Sequence, residues 1–360
     1  MRILLLGEYS NVHATLAEGL RTLGHQVTVA SNGDFWKDYP RDIDLSRRPG
    51  KLGGISLMAR LGGFDIVQLI NPMFLELKAA RIAPVYRYLR RHNRAMVMGA
   101  MGMDYYWVSE CTRNMPLRYS DFNLGHQLRT DECALREQHD WIGTDKERLN
   151  RLIATDSDAI VAGLYEYHVC YEPHFPHKLH YIPLPVKSQP AQPAMHTPLR
   201  VFIGISRGRS QYKGTDIMLR AAEDVAARHP EDMQLVKVEG VPFDSYRQLM
   251  EGSDILLDQL YSYTPSMNTL LAMSKGIVCL SGGEPEGYAI LNEDRLRPIV
   301  NVLPTYQSVV DKLEELLAHP ERLPRLKAES IEFVGRHHDY LRVAKQYEEL
   351  YQLVLFNRKK

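Results

Sequence analysis

The chain lacks most features that would mark a disulfide-stapled or nucleic-acid-binding protein. Its 360 residues include four cysteines, which are widely spaced and form no CxxC pair: Cys111, Cys133, Cys170 and Cys279. This spacing argues against a disulfide framework or a zinc ribbon and is typical of a reducing compartment. The formal net charge is zero, with 44 basic and 44 acidic residues, so no overall field would attract nucleic acid or anionic lipid.

The sequence also lacks the apolar runs of a signal peptide or a membrane span. The segment Met1–Gly7 reaches glycine after a very short apolar run, which predicts a first β-strand. We therefore expect a cytoplasmic protein. Peripheral contact with a membrane through the basic helix end at Arg87, Arg90, Arg91 and Arg94 is left open, although a solvated face explains these arginines better.

Both halves of the chain alternate short apolar strands with amphipathic helices. This alternation predicts an α/β protein with two doubly wound, Rossmann-like domains. The expected domains are residues 1–185 and 199–339, separated by a proline-rich linker at 186–198. A final helix, Tyr340–Phe356, is expected within 340–360. Residues 105–143 are aromatic and polar, interrupt the alternation, and are interpreted as an excursion over a cleft between the domains.

The first chemical signal is the run Gly204–Asp216, which leads into a predicted helix at Thr215–Arg228. Arg207, Arg209 and Lys213 in a glycine- and serine-containing loop before a helix suit a diphosphate. Backbone N–H groups, the helix dipole and charge-assisted hydrogen bonds all favour an anion there. A solvated basic loop explains the composition about equally well.

The second signal is the predicted helix Met267–Lys275. Thr264 or Ser266 can cap its start. Free N–H groups of Ser266, Met267 and Asn268 would then point into the same cleft, because ligands of doubly wound sheets bind outside the carboxyl ends of the strands. The alternative interpretation is an ordinary capped crossover helix.

The third signal is the run that follows the first strand, Gly-Glu-Tyr-Ser-Asn-Val-His. It is not GxGxxG, so the dinucleotide fingerprint is absent and a dehydrogenase is disfavoured. Glu8, Tyr9, Asn11 and His13 lie where they could meet a sugar or an acceptor. A single histidine at a helix start is, however, more often structural than catalytic.

Taken in order, several fragments resemble the retaining glycosyltransferases of family 4, which have the GT-B fold. The fragments are Leu23–Val27, Asp65–Gln68, Ile182–Pro185, Lys213–Gly214, Gly252–Leu257 and Leu271–Gly276. The resemblance covers nearly the whole chain. It implies an N-terminal acceptor domain and a C-terminal nucleotide-sugar domain facing a cleft, with the last helix packing back on the first domain.

The resemblance also implies what the site binds. Arg207, with Arg209 as its close competitor, and Lys213 would grip the donor diphosphate together with the helix start at Ser266–Asn268. A sugar would pass from a nucleoside diphosphate sugar to a hydroxyl of a carbohydrate or glycoconjugate, with retention and without a metal or cofactor. A role in polysaccharide or glycoconjugate synthesis is expected.

The chain departs from the family at its C-terminal signature. Tyr263 and Leu271 stand where the family has two glutamates, the second of which normally holds the donor ribose. Ribose recognition is therefore lost or rebuilt from other residues, for which Asn268, Glu284 and Glu286 are candidates.

The family's His-Gly-x-Asp motif reads Met101–Asp104 here, so its histidine is also absent. Asp104 and Glu8 are the candidate catalytic residues, expected to orient acceptor or sugar hydroxyls. Glu239 and Gly240 complete the expected contacts to the donor sugar or nucleoside. Two other functions stay open: a non-catalytic GT-B-like protein that binds a nucleotide or sugar, and a sugar-nucleotide epimerase.

Overall fold

The computed structural model describes residues 1–46, 51–188, 193, 195–205, 208, 210–241 and 243–358. The strands are β1 (Arg2–Leu6), β2 (Gln26–Ser31), β3 (Ile43–Asp44), β4 (Ile66–Leu69), β5 (Ala95–Ala100), β6 (Asn123–Leu124), β7 (Gln127–Leu128), β8 (Ala159–Ala162), β9 (Leu179–Tyr181), β10 (Leu199–Ile205), β11 (Met233–Glu239), β12 (Ile255–Leu257), β13 (Val278–Ser281) and β14 (Val300–Asn301).

The α-helices are α1 (Val12–Thr22), α2 (Lys51–Arg60), α3 (Ala79–His92), α4 (Tyr105–Arg113), α5 (Glu132–Trp141), α6 (Asp145–Asp156), α7 (Tyr165–Tyr171), α8 (Ser210–Lys213), α9 (Thr215–Arg228), α10 (Phe243–Glu251), α11 (Met267–Ser274), α12 (Pro285–Ile290), α13 (Tyr306–Ala318), α14 (Leu323–His337) and α15 (Tyr340–Asn357). Within the described ranges, no helix has both the length and the apolar character needed to cross a membrane.

The chain divides into two compact units. Unit 1 comprises Met1–Glu110, Glu137–Pro185 and Tyr340–Lys360, and unit 2 comprises Cys111–Arg136 and Val186–Asp339. Unit 1 therefore lacks the segment 111–136 of the expected first domain, residues 1–185, and contains residues 340–360 in addition. Part of the expected linker at 186–198 lies outside the described residues.

Unit 1 contains a parallel sheet with the strand order β3-β2-β1-β4-β5-β8-β9. Strands β4 and β5 are buried along their whole length, as expected when both faces of a parallel sheet are covered. Helices α1 and α15 share one hydrophobic core, which includes Leu16 and Tyr347. Gly19 permits their close approach, because a Cβ at this position would lie 2.6 Å from the Cβ of Ala344. The final helix thus packs within unit 1.

Unit 2 contains a parallel sheet with the order β11-β10-β12-β13-β14. Successive connections run to opposite sides of β10, so the strand order reverses between β10 and β12. Ligands of doubly wound sheets bind outside the carboxyl ends of the strands at such a reversal. The predicted α/β class with two doubly wound units is confirmed, and the residues that follow β10 and β12 lie at this reversal.

Candidate functional site

The loop after β10 carries the predicted cations. Arg207 and Arg209 lie outside the described residues, so their assignment stays a prediction. Lys213 is the last residue of α8 and is partly buried. Its backbone carbonyl accepts a hydrogen bond from the N–H of Leu260, 2.9 Å away, in the loop after β12. The loops that follow the two strands at the reversal are therefore joined directly.

Gly214 allows this close approach. It has φ of 72° and occupies the N-cap position of α9. A Cβ at this position would lie 2.9 Å from the Cβ of Leu260. Both the left-handed backbone and the short distance favour glycine over any other residue here. The Lys-Gly pair at the helix start, one of the fragments behind the family resemblance, thus has a local packing reason.

Asp258, the first residue after β12, is the central charged group of the site. It is 5% exposed, and its carboxylate accepts hydrogen bonds from Ser266 Oγ (2.8 Å), Thr269 Oγ1 (2.6 Å) and Asn268 Nδ2 (3.0 Å). Burial alone would raise the pKa of Asp258, but the charge of Lys213 and these three hydrogen bonds together hold it below its usual range. An ionised carboxylate therefore links Lys213 to the start of α11.

Helix α11 begins at Met267, with Ser266 in the predicted N-cap position. The Ser266 side chain makes no cap hydrogen bond, and its hydroxyl donates to Asp258. The N–H groups of a first helical turn have no acceptor within the helix. Since Ser266 supplies none either, this helix start retains donors that can face an anionic ligand.

No functional role was predicted for Asp258 from the sequence. A usable signal was nevertheless present, because a carboxylate directly after a buried apolar strand precedes Ser266, Asn268 and Thr269 at the start of the next helix. Three side-chain donors on one helix start can converge on such a carboxylate. The structure brings together Lys213, Ser266 and Asn268, which were predicted, around a residue that was not.

Glu284 and Glu286, expected near the donor sugar or nucleoside, follow β13 and bind Arg118. One nitrogen of the Arg118 guanidinium donates to Glu284 at 2.6 Å, and the other donates to Glu286 at 2.6 Å. The hydroxyl of Tyr119 donates to the second oxygen of Glu284 at 2.5 Å. These contacts attach the segment 111–136 to unit 2, which explains why it does not group with unit 1.

Tyr263, which stands in place of the family's first glutamate, belongs to the same cluster. Its hydroxyl accepts a hydrogen bond from the backbone N–H of Arg118 at 2.6 Å, and its ring centroid lies 4.9 Å from that of Tyr119. Glu239 and Gly240 lie at the same sheet edge, at the end of β11. Their role, like that of the two glutamates after β13, stays a prediction.

The loop after β1 and the first turn of α1, both in unit 1, hold two buried titratable groups. The Glu8 carboxyl, 3% exposed, accepts hydrogen bonds from the N–H groups of His13 (3.3 Å) and Ala14 (2.8 Å). Burial raises the pKa of Glu8 to about 8. His13 donates from Nδ1 to the Gly7 carbonyl at 2.8 Å, and burial lowers the pKa of His13 to about 4. At neutral pH this segment therefore contains a largely protonated carboxyl and a neutral imidazole.

Asp104 is fully buried and directly precedes α4. Its carboxyl accepts hydrogen bonds from the N–H of Trp107 (2.9 Å) and the hydroxyl of Tyr171 (2.8 Å). Burial raises the pKa of Asp104 to about 7. Both candidate catalytic carboxyls of unit 1 therefore accept hydrogen bonds from helix starts, and their catalytic assignment stays a prediction.

Tyr9 and Asn11, the remaining acceptor-side candidates, lie in the loop after β1. Tyr9 packs at the carboxyl end of the unit 1 sheet, where a Cβ on Gly102 would lie 3.3 Å from its ring. Asn11 has φ of 70° at the N-cap position of α1. Glu8, Tyr9 and Asn11 therefore lie in the loop after β1 and His13 lies in the first turn of α1, and their acceptor-side role stays a prediction.

Two doubly wound units with a charged site at the carboxyl edge of the second define a class, the GT-B fold. Solved glycosyltransferases share it. Sucrose-phosphate synthase from Thermosynechococcus elongatus matches with a TM-score of 0.64 at 13% identity, covering 99% of this chain and 100% of that one. HepE from Anabaena, solved with UDP and glucose, matches with a TM-score of 0.59 at 11% identity, covering 97% and 98%.

TarM from S. aureus, solved with UDP among its ligands, matches with a TM-score of 0.56 at 10% identity. The match covers 82% of this chain but only 58% of the length of TarM. No protein-family model matches the chain, and no curated protein sequence matches it either. The similarity at these identities confirms the GT-B fold, while membership of family 4 stays a prediction.

Proposed function

We propose that this protein is a glycosyltransferase that moves a sugar from a nucleoside diphosphate sugar to a hydroxyl group of a carbohydrate or glycoconjugate. The observation that carries the proposal is that the backbone of Lys213 is hydrogen-bonded to the loop after β12, where Asp258 binds the start of α11, at the strand reversal of unit 2. The similar fold of HepE, solved with UDP and glucose, supports a nucleotide sugar as the donor. The proposal includes retention at the anomeric carbon, independence of metal, and a role in polysaccharide or glycoconjugate synthesis.

The reaction breaks the bond between the anomeric carbon and the β-phosphate oxygen and forms a bond from that carbon to the acceptor oxygen. The acceptor proton passes to the departing phosphate, which otherwise accumulates negative charge. Fixed positive groups stabilise this charge more in the transition state than in the ground state. The Lys213 ammonium and the first-turn N–H groups of α11 supply that stabilisation.

Asp258 determines which groups remain for the ligand. Its carboxylate draws the side chains of Ser266 and Asn268 toward the protein interior and holds Lys213 by charge attraction. The ligand-facing donors are then backbone N–H groups and the ammonium, whose positions need little reorganisation during the reaction. The negative charge of Asp258 also weakens the binding of the anionic nucleoside diphosphate. This favours release of the nucleoside diphosphate after transfer.

The test is Lys213→Met, compared with Lys213→Arg and with the control Lys146→Met, which removes a lysine paired with Asp140 on the surface of unit 1. Calorimetry with UDP, GDP and ADP measures binding, and product analysis with their sugar conjugates measures transfer. Because a charge-assisted hydrogen bond contributes about 1.5–3 kcal/mol, we expect Lys213→Met to weaken binding of the preferred nucleotide about 10- to 100-fold. Lys213→Arg should retain more affinity, and the control should match the wild type.

Each alternative has its own result. Unchanged nucleotide affinity in Lys213→Met would refute the placement of the diphosphate. Tight nucleotide binding with no transfer across a panel of acceptors would identify a non-catalytic binding protein. Interconversion of a free sugar nucleotide without any acceptor would identify an epimerase.

A further inference from the structure

Arg129 lies on the segment 111–136, after the hairpin of β6 and β7, and is 9% exposed. Its Nη2 donates to the carbonyl oxygen of Gln211 at 2.9 Å, and its Nε donates to the carboxylate of Asp131 at 2.9 Å. The guanidinium carbon lies 3.7 Å from the centroid of the Tyr261 ring. One buried arginine thus contacts both the α8 loop and the loop after β12.

These are the two loops that form the proposed site. Gln211 precedes Lys213 by two residues, and Tyr261 follows Asp258 by three. Arg129 therefore adds a positive charge, besides that of Lys213, at the loops that follow β10 and β12. The local sequence pattern does not predict the contact between Arg129 and Gln211, because these residues are 82 positions apart in the chain.

The remaining nitrogen of the guanidinium, Nη1, is buried and has no hydrogen-bond partner within the described part of the chain. A buried donor on a charged group is unfavourable when it lacks an acceptor, and such groups in folded proteins nearly always have one. The other contacts hold the guanidinium in place, so Nη1 cannot turn to find an acceptor. An oxygen supplied by a bound ligand would satisfy it.

We propose that Arg129 is a further ligand-binding residue of unit 2, and that Nη1 donates to a phosphate oxygen of the nucleoside diphosphate. This inference rests on the proposed function, because it uses the same two loops. Arginine suits the task, since its planar fork can be fixed by two nitrogens while a third binds phosphate. Asp131 and the Tyr261 ring keep that fork oriented.

The experiment uses the full chain with Arg129→Lys, Arg129→Met and the control Arg148→Met, which removes an arginine exposed on α6 and paired with Asp145. The probes are inorganic pyrophosphate, UDP, GDP and ADP, measured by calorimetry at two salt concentrations. Pyrophosphate is included because its binding does not depend on the base. We expect pyrophosphate and the preferred nucleotide to bind about 10- to 100-fold more weakly to both Arg129 variants and unchanged to the control.

Arg129→Lys keeps a positive charge and most of the side-chain length. If Arg129→Met does not fold, Arg129→Lys alone therefore tests whether Arg129 binds phosphate. A purely structural clamp would speed hydrogen exchange across 111–136 in Arg129→Lys and leave pyrophosphate affinity as in the wild type, which would overturn the inference. If the wild type binds pyrophosphate and a nucleotide but the variants bind equally well, the inference alone fails. If the wild type binds neither, the proposed function fails with it.

Discussion

Replacing Glu8 by glutamine should stabilise unit 1 at neutral pH, and the gain should grow as the pH rises. The Glu8 carboxyl is 3% exposed, and burial raises its pKa to about 8 from an ordinary value of 4.5. Glutamine has nearly the same shape and can still accept a hydrogen bond from the N–H of Ala14, now 2.8 Å from the carboxyl. It carries no charge that burial would penalise.

The magnitude follows from proton linkage. Between pH 4.5 and about 8 the folded chain holds the Glu8 proton more tightly than the unfolded chain does, so the free energy of unfolding falls as the pH rises. Each pKa unit corresponds to about 1.36 kcal/mol, so the charge penalty that Glu8→Gln removes is about 3 kcal/mol at pH 7. At pH 5 the same arithmetic leaves less than about 1 kcal/mol.

His13 changes the pH dependence of the free energy of unfolding in the opposite direction. Burial lowers its pKa to about 4, so the unfolded chain binds more protons between about pH 4 and 6.5, and stability rises with pH there. Subtracting the wild-type curve from the Glu8→Gln curve cancels this contribution, since both proteins contain His13. The difference therefore isolates the carboxyl.

The assay is urea unfolding from pH 5 to 8, with hydrogen exchange of peptides from β1 and α1 to assign the change to unit 1. Glu349→Gln, which alters an exposed glutamate on α15, is the control. A stability difference that stays constant across this pH range would refute the reasoning, as would destabilisation by Glu8→Gln at pH 7. If the variant is more stable yet loses sugar transfer, Glu8 has a chemical role in addition to its structural one.

Further substitutions test the other contacts. Asp258→Asn should lower the free energy of unfolding, measured with urea, by about 2–4 kcal/mol, because an amide cannot accept all the charge-assisted hydrogen bonds of the carboxylate. This loss should become smaller below pH 3.8, where the carboxyl of Asp258 is protonated in the unfolded chain. Arg118→Met should speed amide exchange in 111–136 by roughly tenfold, since its ion pairs contribute about 1–2 kcal/mol at a partly exposed site, and unaltered exchange would contradict the docking described. Gly19→Ala should cost about 1–3 kcal/mol by overpacking against Ala344 and lower the Tm of unit 1.

Local pattern was sufficient for the elements and the class of fold. The helix predicted at Thr215–Arg228 has those bounds in the structure, and the predicted final helix at Tyr340–Phe356 differs by one residue. Such elements are set by hydrophobic periodicity and by residues at their ends, which act over a few positions. The order of strands and helices then restricts the sheets to doubly wound arrangements.

Part of the site was also accessible from the sequence, because residues after parallel strands converge at one sheet edge. This rule placed Lys213 with Ser266 and Asn268. It did not reveal that Asp258 would occupy their centre, nor that Ser266 would leave the helix uncapped. Those outcomes depend on which donors lie closest to a buried carboxylate once the loops are packed.

The sequence by itself determined the alternation of strands and helices, the two doubly wound units and the cation-bearing loop after β10, because each arises from short-range preferences. Only the tertiary structure decided that 111–136 joins unit 2, that Arg118 binds Glu286 across 168 residues of chain, and that burial keeps Glu8 protonated near neutral pH. These are properties of packing: a hydrogen bond between distant residues, or the desolvation of a carboxyl, exists only after the chain has enclosed them.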